Sequence, residues 1–326
     1  MSPSVSVVLP VFNCVAYVGE AVESILKQEF RDLELIVIDD GSTDETPRIV
    51  QTYGDPRIRF FAQTNRGLAA TLNRGIELAR GKYIARQDQD DVSKPERLGR
   101  QAAFLDAHSQ CGLVGAWADV WVDRAPSGRT HQHPSDNDAL QYFLLLNNPF
   151  VHSSVMLRKE AVEKAGGYST NRDRQPPEDY ELWSRIARDY ELANIPEILQ
   201  VYREVPGSMS RVGKSPFLNH LVTISAENIA WAAGIGATNP QATNIAAIAH
   251  SAPDRIVGRP DFGEMQAIFV RAAERVTGER REHFAGEAAK FTSGLRARYW
   301  ELVYGQGWGR HLFKIARTAR RLVIRS

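Results

Sequence analysis

The sequence predicts an α/β protein in which helices flank a mostly parallel central sheet and a helical region follows at the C-terminal end. Three observations support this class. Short apolar and β-branched segments alternate with helical patterns over the first 110 residues, as expected of βαβ units. Polar side chains cluster directly after each of these predicted strands. Beyond about residue 215 the patterns are helical, and no strand-length β pattern recurs.

Four strands are predicted in the first 110 residues, with a helix after each of the first three. The strands cover residues 5–11, 33–39, 57–63 and 82–86, and the helices lie near 18–26, 47–53 and 67–79. In parallel sheets, ligands bind beyond the carboxyl ends of the strands. The polar segments PVFN, DDGSTDE, QTNRG and RQDQDD follow these strands and are therefore expected to converge on one rim.

The middle third of the chain is less regular. Its predicted elements are strands within 111–122, 149–158 and 193–203, helices at 159–168 and 178–189, and a loop at 124–138 that is rich in turn formers. We predict a domain boundary at 210–216, which separates an α/β domain of residues 1–212 from a helical region of residues 213–326.

The composition is that of a globular protein and excludes several classes. The 326-residue chain carries 40 basic and 39 acidic side chains, and a net charge of +1 gives no general affinity for nucleic acid. Cys14 and Cys111 lack the spacing of a zinc cage or a disulfide scaffold. The N-terminus lacks the basic segment of a signal peptide, and no stretch reaches the roughly 18 apolar residues of a membrane span. A cytoplasmic protein is predicted.

Three aspartates, Asp88, Asp90 and Asp91, follow the fourth predicted strand within four positions. Exposed carboxylates at this spacing repel each other by about 1 kcal/mol per pair, and a divalent cation would remove that cost. A solvated acidic loop before the helix that begins near Pro95 is the simpler alternative. A DxD motif at the end of a strand, on the same rim as another acidic loop, favours a cation site.

Asp39 and Asp40 end the second predicted strand, and the next residues form a turn. Gly41 permits an unusual backbone angle, and Ser42 with Glu45 predicts a capping box for the following helix. Turn chemistry does not account for two carboxylates at a buried strand end. One of them is a candidate acceptor for a base N–H or a ribose hydroxyl.

Glu178 and Asp179 lie at the start of a predicted helix. Acidic side chains are common there because the helix dipole stabilises them. The alternative is a general base, and an ordinary carboxylate within hydrogen-bonding reach of a hydroxyl can serve as one. Both interpretations stay open on the residues alone.

Residues 296–326 contain eight Arg or Lys side chains and one acid, Glu301. Within this segment Trp308, Leu312 and Ile315 share a helical stripe. A basic amphipathic helix of this composition is typical of the surface of an anionic membrane. A last helix packed on the domain, with a solvated basic face, fits the pattern equally well.

Taken together, these motifs resemble the family 2 glycosyltransferases. The segments VSVVLPVFN, ELIVIDDGSTDET, NRGLAATLNRGIELARGKYIARQDQDD with PERL, HSSVMLRKEAVEKAGGY and EDYELWSR occur in that family's order over residues 4–210. The resemblance implies a GT-A fold, which is Rossmann-like, a nucleoside-diphosphate sugar donor and inversion of the anomeric carbon by direct displacement. It also implies that Pro10, Val11 and Asn13 line the nucleotide pocket, and that Asp40 accepts a hydrogen bond from the base with Asp39 beside it.

The resemblance assigns roles to the remaining acidic residues as well. Asp88 and Asp90 would contact the ribose or the sugar. Asp91 would be the first metal ligand for Mn²⁺ or Mg²⁺, with Asp90 as the second candidate. Asp179 would take the proton of the acceptor hydroxyl, and Glu178 would flank the acceptor.

One position departs from the family pattern. Many relatives have a histidine after the last strand, in a Tyr-Arg-x-His pattern, where this chain has Val205. The third protein ligand of the metal is therefore open, and His152 is one candidate to replace it. On its own, His152 is more simply a structural histidine on a predicted strand.

The predicted function is transfer of a sugar to a hydroxyl of a glycan or glycolipid acceptor in bacterial surface polysaccharide synthesis. A nucleotide-sugar pyrophosphorylase is one alternative, but PVFNCVAYVGE lacks the glycine-rich, basic loop that a triphosphate needs. A catalytically silent nucleotide-sugar or glycan-binding protein is another. The protein is expected in the cytoplasm, with the basic C-terminal segment as a contact to the inner face of the membrane.

Overall fold

The computed structural model describes residues 2–205 and 215–305. Within them the chain divides into two compact units, one formed by residues 2–140 and 148–205 and the other by residues 141–147 and 215–305. The predicted boundary at 210–216 falls mostly on residues 206–214, which lie outside the described part. Residues 306–326 of the predicted basic segment also lie outside it.

Nine strands form one sheet in the described part of the first unit. They are β1 (Val5–Val11), β2 (Leu33–Asp39), β3 (Ile58–Ala62), β4 (Tyr83–Arg86), β5 (Val92–Ser93), β6 (Cys111–Val122), β7 (Ala125–His131), β8 (Met156–Arg158) and β9 (Glu191–Glu204). The strand order is β3-β2-β1-β4-β8-β6-β9-β5, and β7 pairs with β6. The predicted α/β class is confirmed.

The parallel half of the sheet contains the strands predicted from the first 110 residues. β1 pairs in parallel with β2 and β4, and β2 pairs in parallel with β3. Every residue of β1 and β2 is buried, which is typical of parallel strands covered on both faces. The other half is mixed, since β8 is antiparallel to β4 and β6, whereas β6 and β9 run parallel.

Seven α-helices lie between these strands in the described part of the chain. They are α1 (Val18–Leu26), α2 (Thr46–Gln51), α3 (Leu68–Leu78), α4 (Arg97–Ala107), α5 (Asn137–Phe143), α6 (Lys159–Ala165) and α7 (Glu178–Ile186). The prediction of a loop over 124–138 is wrong in part, because residues 125–131 form β7 against β6. Turn-forming residues there, such as Gly128 with a φ of +74°, shape an exposed edge hairpin that lacks an apolar period.

The described part of the second unit is helical, as predicted. Its helices are α8 (Ser215–Ala233), α9 (Pro240–Ala249), α10 (Phe262–Val276) and α11 (Arg281–Tyr304). Buried side chains such as Ile229, Ile245 and Phe269 form its interior. Residues 141–147 join this unit, because Asn228 Nδ2 donates to the Leu144 carbonyl over 2.8 Å. None of the described helices combines the length and apolarity that crossing a bilayer requires.

Candidate active site

The polar loops after β1, β2 and β4 are bound to one another, as predicted. The backbone N–H of Phe12 donates to Gln89 Oε1 over 2.7 Å, and Gln89 Nε2 donates to the Phe12 carbonyl over 3.2 Å. The Asn13 N–H donates to Ser42 Oγ over 3.0 Å, and Asn13 Oδ1 accepts from the Thr43 N–H over 2.8 Å. Three loops therefore form one rim at the carboxyl ends of these strands.

The residues predicted to line the nucleotide pocket differ in exposure. Pro10 and Val11 are the last residues of β1 and are buried, and the Val11 carbonyl accepts the Asp40 N–H over 2.9 Å. Asn13 is exposed and has a φ of +46°, a left-handed conformation that asparagine tolerates better than most residues. Asn13 is therefore the one of these three residues whose side chain is exposed at the rim.

Asp40 is buried, and its carboxylate is occupied by the chain itself. Oδ1 accepts from Gln63 Nε2 over 2.7 Å and from the Arg66 N–H over 2.8 Å, and Oδ2 accepts from the Gly67 N–H over 2.9 Å. These bonds attach the loop between β3 and α3 to the end of β2, so that this fourth loop also belongs to the rim. A carboxylate offers about four acceptor positions. Three are in use, which leaves Asp40 little capacity for a nucleotide base.

Asp39 is as buried as Asp40 but accepts one hydrogen bond from the described residues, 3.1 Å from the Ser42 N–H. Gly41 has a φ of +84°, and a Cβ there would lie 2.9 Å from a backbone nitrogen of the next loop, so the position requires glycine. The predicted capping box of Ser42 and Glu45 is wrong. Helix α2 begins at Thr46, and Ser42 Oγ instead accepts a backbone N–H from the loop after β1.

Asp88 and Asp90 are the more accessible carboxylates of the acidic corner, the segment of residues 88–91 that follows β4. Asp88 is partly exposed, and its Oδ1 lies 2.6 Å from Nη2 of Arg86, whose side chain is 2% exposed. Asp90 is half-buried, and its burial, followed by the charge of Asp88, raises its pKa to about 6. A carboxylate that is costly to ionise on its own is a suitable ligand for a hard divalent cation.

The burial of Asp91 argues against the role of first metal ligand predicted for it. Its side chain is 1% exposed, Ser153 Oγ donates to one carboxylate oxygen and the Arg203 N–H donates to the other over 2.7 Å. Burial, followed by the charges of Asp88 and Asp90, raises its pKa. Both oxygens join the loop after β4 to β9 and to the 3₁₀ helix His152–Ser154. The position of Asp91 is therefore that of a buried structural residue, which links these segments by hydrogen bonds.

The start of α7 supplies two carboxylates of different character. Glu178 is 7% exposed, and burial, followed by the charge of Asp179, raises its pKa to about 7. The positive charge of Arg86 opposes that rise, and the negative charge of Asp88 adds to it. Asp179 is half-buried, and its Oδ2 accepts from Asn148 Nδ2 over 2.7 Å. Asp179 is thus the more accessible of the two and is held by a neutral donor.

His152 lies in a 3₁₀ helix, His152–Ser154, rather than on the strand predicted there. Its Nε2 is 2.9 Å from Tyr168 Oη, and the ring of Trp183 meets it edge to face at 5.8 Å. Burial, followed by the charge of Arg86, lowers the pKa of His152 to about 4, so that the ring is neutral at pH 7. Among the described residues its hydrogen bond is to Tyr168 and not to an aspartate of the rim.

No group of three or more His, Cys, Asp or Glu side chains is arranged to hold a metal ion in residues 2–205 and 215–305. A metal that accompanies a diphosphate does not need such a group, because Mg²⁺ is commonly held by one or two carboxylates, water and substrate phosphates. Asp90 fits this donor set: it is a half-buried carboxylate with a raised pKa beside a second negative charge. The residues present are therefore compatible with a divalent cation.

Sequence reasoning missed two buried arginines next to the site. Arg86 ends β4, and Arg203 lies near the end of β9, where it is 1% exposed. Nη2 of Arg203 lies 2.7 Å from Glu20, and its guanidinium stands 4.8 Å from the Tyr17 ring centre. Its charge offsets part of the rise in the pKa of Asp90. The signal was available, because an arginine within an otherwise apolar strand, as in KYIAR and LQVYRE, requires a buried partner.

This sheet and acidic rim define a GT-A glycosyltransferase fold, and solved structures agree. S. aureus TarS (residues 1–349) in complex with UDP-GlcNAc has a TM-score of 0.60, covering 94% of this chain and 93% of that chain at 18% identity. The mannosyltransferase PcManGT from Pyrobaculum calidifontis, in complex with GDP-Man and Mn²⁺, has a TM-score of 0.50, covering 98% and 81% at 18% identity. At such identities the likeness establishes the fold alone.

Sequence comparison supplies the family. EpsE of Bacillus subtilis (strain 168) is 36% identical over 214 residues, which are 64% of this chain and 76% of that protein. The amylovoran biosynthesis glycosyltransferase AmsE of Erwinia amylovora is 31% identical over 188 residues, 56% of this chain and 69% of that protein. The family described as glycosyl transferase family 2 matches residues 6–166. The chain belongs to glycosyl transferase family 2, which confirms the resemblance seen in its motifs.

Proposed function

We propose that this glycosyltransferase moves a sugar from a nucleoside-diphosphate sugar to a hydroxyl of a glycan or glycolipid acceptor, with inversion and with the help of Mn²⁺ or Mg²⁺. The bound UDP-GlcNAc and GDP-Man of the two structural neighbours support the donor class, and the Mn²⁺ of one supports the cation. The name of AmsE refers to amylovoran biosynthesis, which supports surface polysaccharide as the class of product.

One observation carries the proposal: the buried guanidinium of Arg86 acts on two acidic elements, the loop that holds Asp88 and the start of α7. Arg86 pairs directly with Asp88 at 2.6 Å, and the charges of both residues act on Glu178. Glu178 precedes Asp179, the half-buried carboxylate held by Asn148. A donor bound at Asp88 would therefore have its reacting sugar close to a carboxylate that can accept a proton.

For donor recognition the hydrogen bonds favour a revised assignment. We assign the base-binding role to Asp39 in place of Asp40, because Asp40 already accepts three hydrogen bonds and Asp39 accepts one. Asp40 then holds the loop that completes the pocket. Asp88 is oriented by Arg86 and is assigned to the ribose or sugar hydroxyls.

For the cation we assign Asp90 in place of Asp91, with phosphate oxygens and water as the other ligands. Asp90 is partly accessible, whereas both oxygens of Asp91 are used within the protein. A bound divalent cation would neutralise the negative charge that develops on the leaving diphosphate. With Val205 in place of the family histidine, this ligand set requires no further side chain.

The chemical step we propose is a single displacement. Asp179 accepts the proton of the acceptor hydroxyl as the new bond forms between that oxygen and the anomeric carbon, while the bond from the anomeric carbon to the diphosphate oxygen breaks on the opposite face. Asn148 orients the Asp179 carboxylate through its 2.7 Å hydrogen bond. We assign Glu178 to the flank of the acceptor; its ionisation is sensitive to the charges around it.

The two alternatives fit the site less well. A pyrophosphorylase would need a basic glycine-rich loop after β1, whereas residues 12–17 contain no Arg, Lys or Gly. A silent binding protein would have no use for a solvent-accessible carboxylate held by an amide in the position of Asp179.

The proposed function is tested by donor binding followed by turnover. A thermal-shift screen of UDP-, GDP- and dTDP-sugars with and without Mn²⁺ should identify a donor that raises Tm more with the cation than without it. With that donor, Asp179→Asn should keep the thermal shift and lose transfer and donor hydrolysis by about 10²- to 10⁴-fold. Loss of donor binding in this variant, or unchanged turnover, would remove Asp179 from the role of base.

A further inference from the structure

Arg86 occupies a position that the backbone fixes from two sides. It is the last residue of β4, and its N–H donates to the Val155 carbonyl over 2.9 Å. Its own carbonyl accepts from Nη1 of Arg97, a second buried arginine, over 3.0 Å. The backbone of Arg86 is therefore fixed at the junction of β4 with the segment around residue 155.

The guanidinium is buried but is directed to the acidic corner. Nη2 pairs with Asp88 over 2.6 Å, Nη1 donates to the Gln87 carbonyl, and the side chain is 2% exposed. The third nitrogen of the guanidinium, Nε, has no hydrogen-bond partner in the described part of the protein. A buried guanidinium with an unused donor is costly, since such groups are normally fully hydrogen-bonded. The buried guanidinium of Arg86, with its unbonded Nε, lies next to the proposed active site.

The charge of Arg86 also acts on the other side of the site. At the start of α7 it counteracts the effects of Asp179 and Asp88 on the ionisation of Glu178. His152 and Tyr168, which are hydrogen-bonded to each other, also feel this charge, and His152 is neutral at pH 7. Among the charged groups named here that act on Glu178, Arg86 carries the positive charge.

We propose that Arg86 is a positioning residue for the transfer reaction: its ion pair fixes Asp88 for the donor, and its buried charge balances the carboxylates at the start of α7. This inference rests on the proposed function. It assigns to one side chain a coupling between the donor side and the base side of the site. Removal of the charge should therefore change both the donor KM and the acid limb of the pH profile of kcat/KM. A purely structural residue would not change these two together.

The test compares Arg86→Met and Arg86→Lys with Arg158→Met. Arg158 is a suitable control because it is also buried, at 6% exposed, but donates to the carbonyls of Leu105, His108 and Cys111, away from the acidic rim. For each variant we would measure Tm, donor KM, kcat and the pH dependence of kcat/KM.

Arg86→Met should raise the donor KM by about tenfold and move the acid limb of the pH profile upward by about one pH unit, since a nearby opposite charge commonly lowers a carboxylate pKa by at least that much. Arg86→Lys should restore the acid limb but only part of the KM, because an ammonium keeps the charge and loses the planar guanidinium geometry. Arg158→Met should lower Tm and leave the KM and the pH profile unchanged.

A wild-type KM and pH profile in Arg86→Met, with or without a lower Tm, would overturn the inference. So would a pH profile in Arg86→Lys that shifts as far as in Arg86→Met. If Arg86→Met does not fold, an unchanged donor KM in Arg86→Lys overturns the positioning of Asp88. Absence of transfer by the wild-type protein with every donor would instead refute the proposed function, and the two failures are therefore distinguishable.

Discussion

Replacement of Asp90 by asparagine should stabilise the cation-free protein, because the wild-type carboxylate is ionised at an energetic cost. Its pKa is raised from 3.8 to about 6, mainly by burial and then by Asp88. This difference corresponds to about 3 kcal/mol of unfolding free energy, and screening at a half-buried group reduces the expected gain to about 1–3 kcal/mol at pH 8.

The pH dependence gives the prediction its sign. Between pH 4 and pH 6 the folded wild-type protein holds the Asp90 proton and the unfolded chain has lost it, so the free energy of unfolding falls as pH rises through this window. Asp90→Asn lacks that contribution. The difference in stability between variant and wild type should therefore be largest above pH 6 and should shrink below about pH 4.

Urea unfolding at pH 4, 6 and 8, in EDTA and in Mn²⁺ with nucleoside diphosphate, measures both effects. Cation and nucleotide together should raise the midpoint of the wild type and leave that of Asp90→Asn nearly unchanged. Asp91→Ala is the contrasting variant: it leaves the Ser153 hydroxyl and the Arg203 N–H without their acceptor and should lose about 2–5 kcal/mol at pH 4. The loss should be smaller at pH 8, because the raised pKa of Asp91 makes its ionisation in the folded protein costly. A normal Mn²⁺ response in Asp90→Asn, with none in a folded Asp91 variant, would refute the reassignment of the metal ligand.

Three further predictions concern the nucleotide pocket, Glu178 and the membrane. Asp39→Asn should weaken donor binding about tenfold in calorimetry with little change in Tm. Asp40→Asn disturbs three hydrogen bonds and should lower Tm by several degrees. The reverse pattern would return the base contact to Asp40. Glu178→Gln should abolish a change in kcat/KM near pH 7, because burial and Asp179 raise the pKa of Glu178 to about 7, and a persistent limb at that pH would assign it to another group. Deletion of residues 306–326 should shift the protein from the pellet to the supernatant in sedimentation with anionic vesicles, and an unchanged distribution would favour the alternative of a helix packed on the domain.

The parallel half of the sheet was predictable because hydrophobic pattern and turn chemistry agree there. β1 and β2 are mostly apolar runs, interrupted by Ser6 and Glu34, and their observed limits, Val5–Val11 and Leu33–Asp39, are the predicted ones. The hairpin of β6 and β7 was not predictable in the same way. β7 is an exposed edge strand whose residues alternate in no apolar period, and its pairing with β6 depends on a partner that its own sequence does not reveal.

The location of the site was predictable to the level of its loops, because strand ends collect ligand-binding residues in a parallel sheet. Adjacent aspartates could not be told apart, since their roles depend on which carboxylate turns inward. Asp91 faces Ser153 and the Arg203 N–H, and Asp40 faces the loop after β3. Those partners lie 23 to 112 positions away in the chain and cannot be identified by local spacing.

The electrostatics of the rim connect these assignments. Ionisation of Asp90 and Glu178 is disfavoured by burial and by neighbouring carboxylates, and the buried charge of Arg86 offsets part of that cost for both. A nucleoside diphosphate would add negative charge to the same region, so its binding and that of a divalent cation should strengthen each other by the same free energy. The clustered carboxylates then have a physical reason to coexist: each is costly in the empty site, and the cost falls when cation and donor bind together.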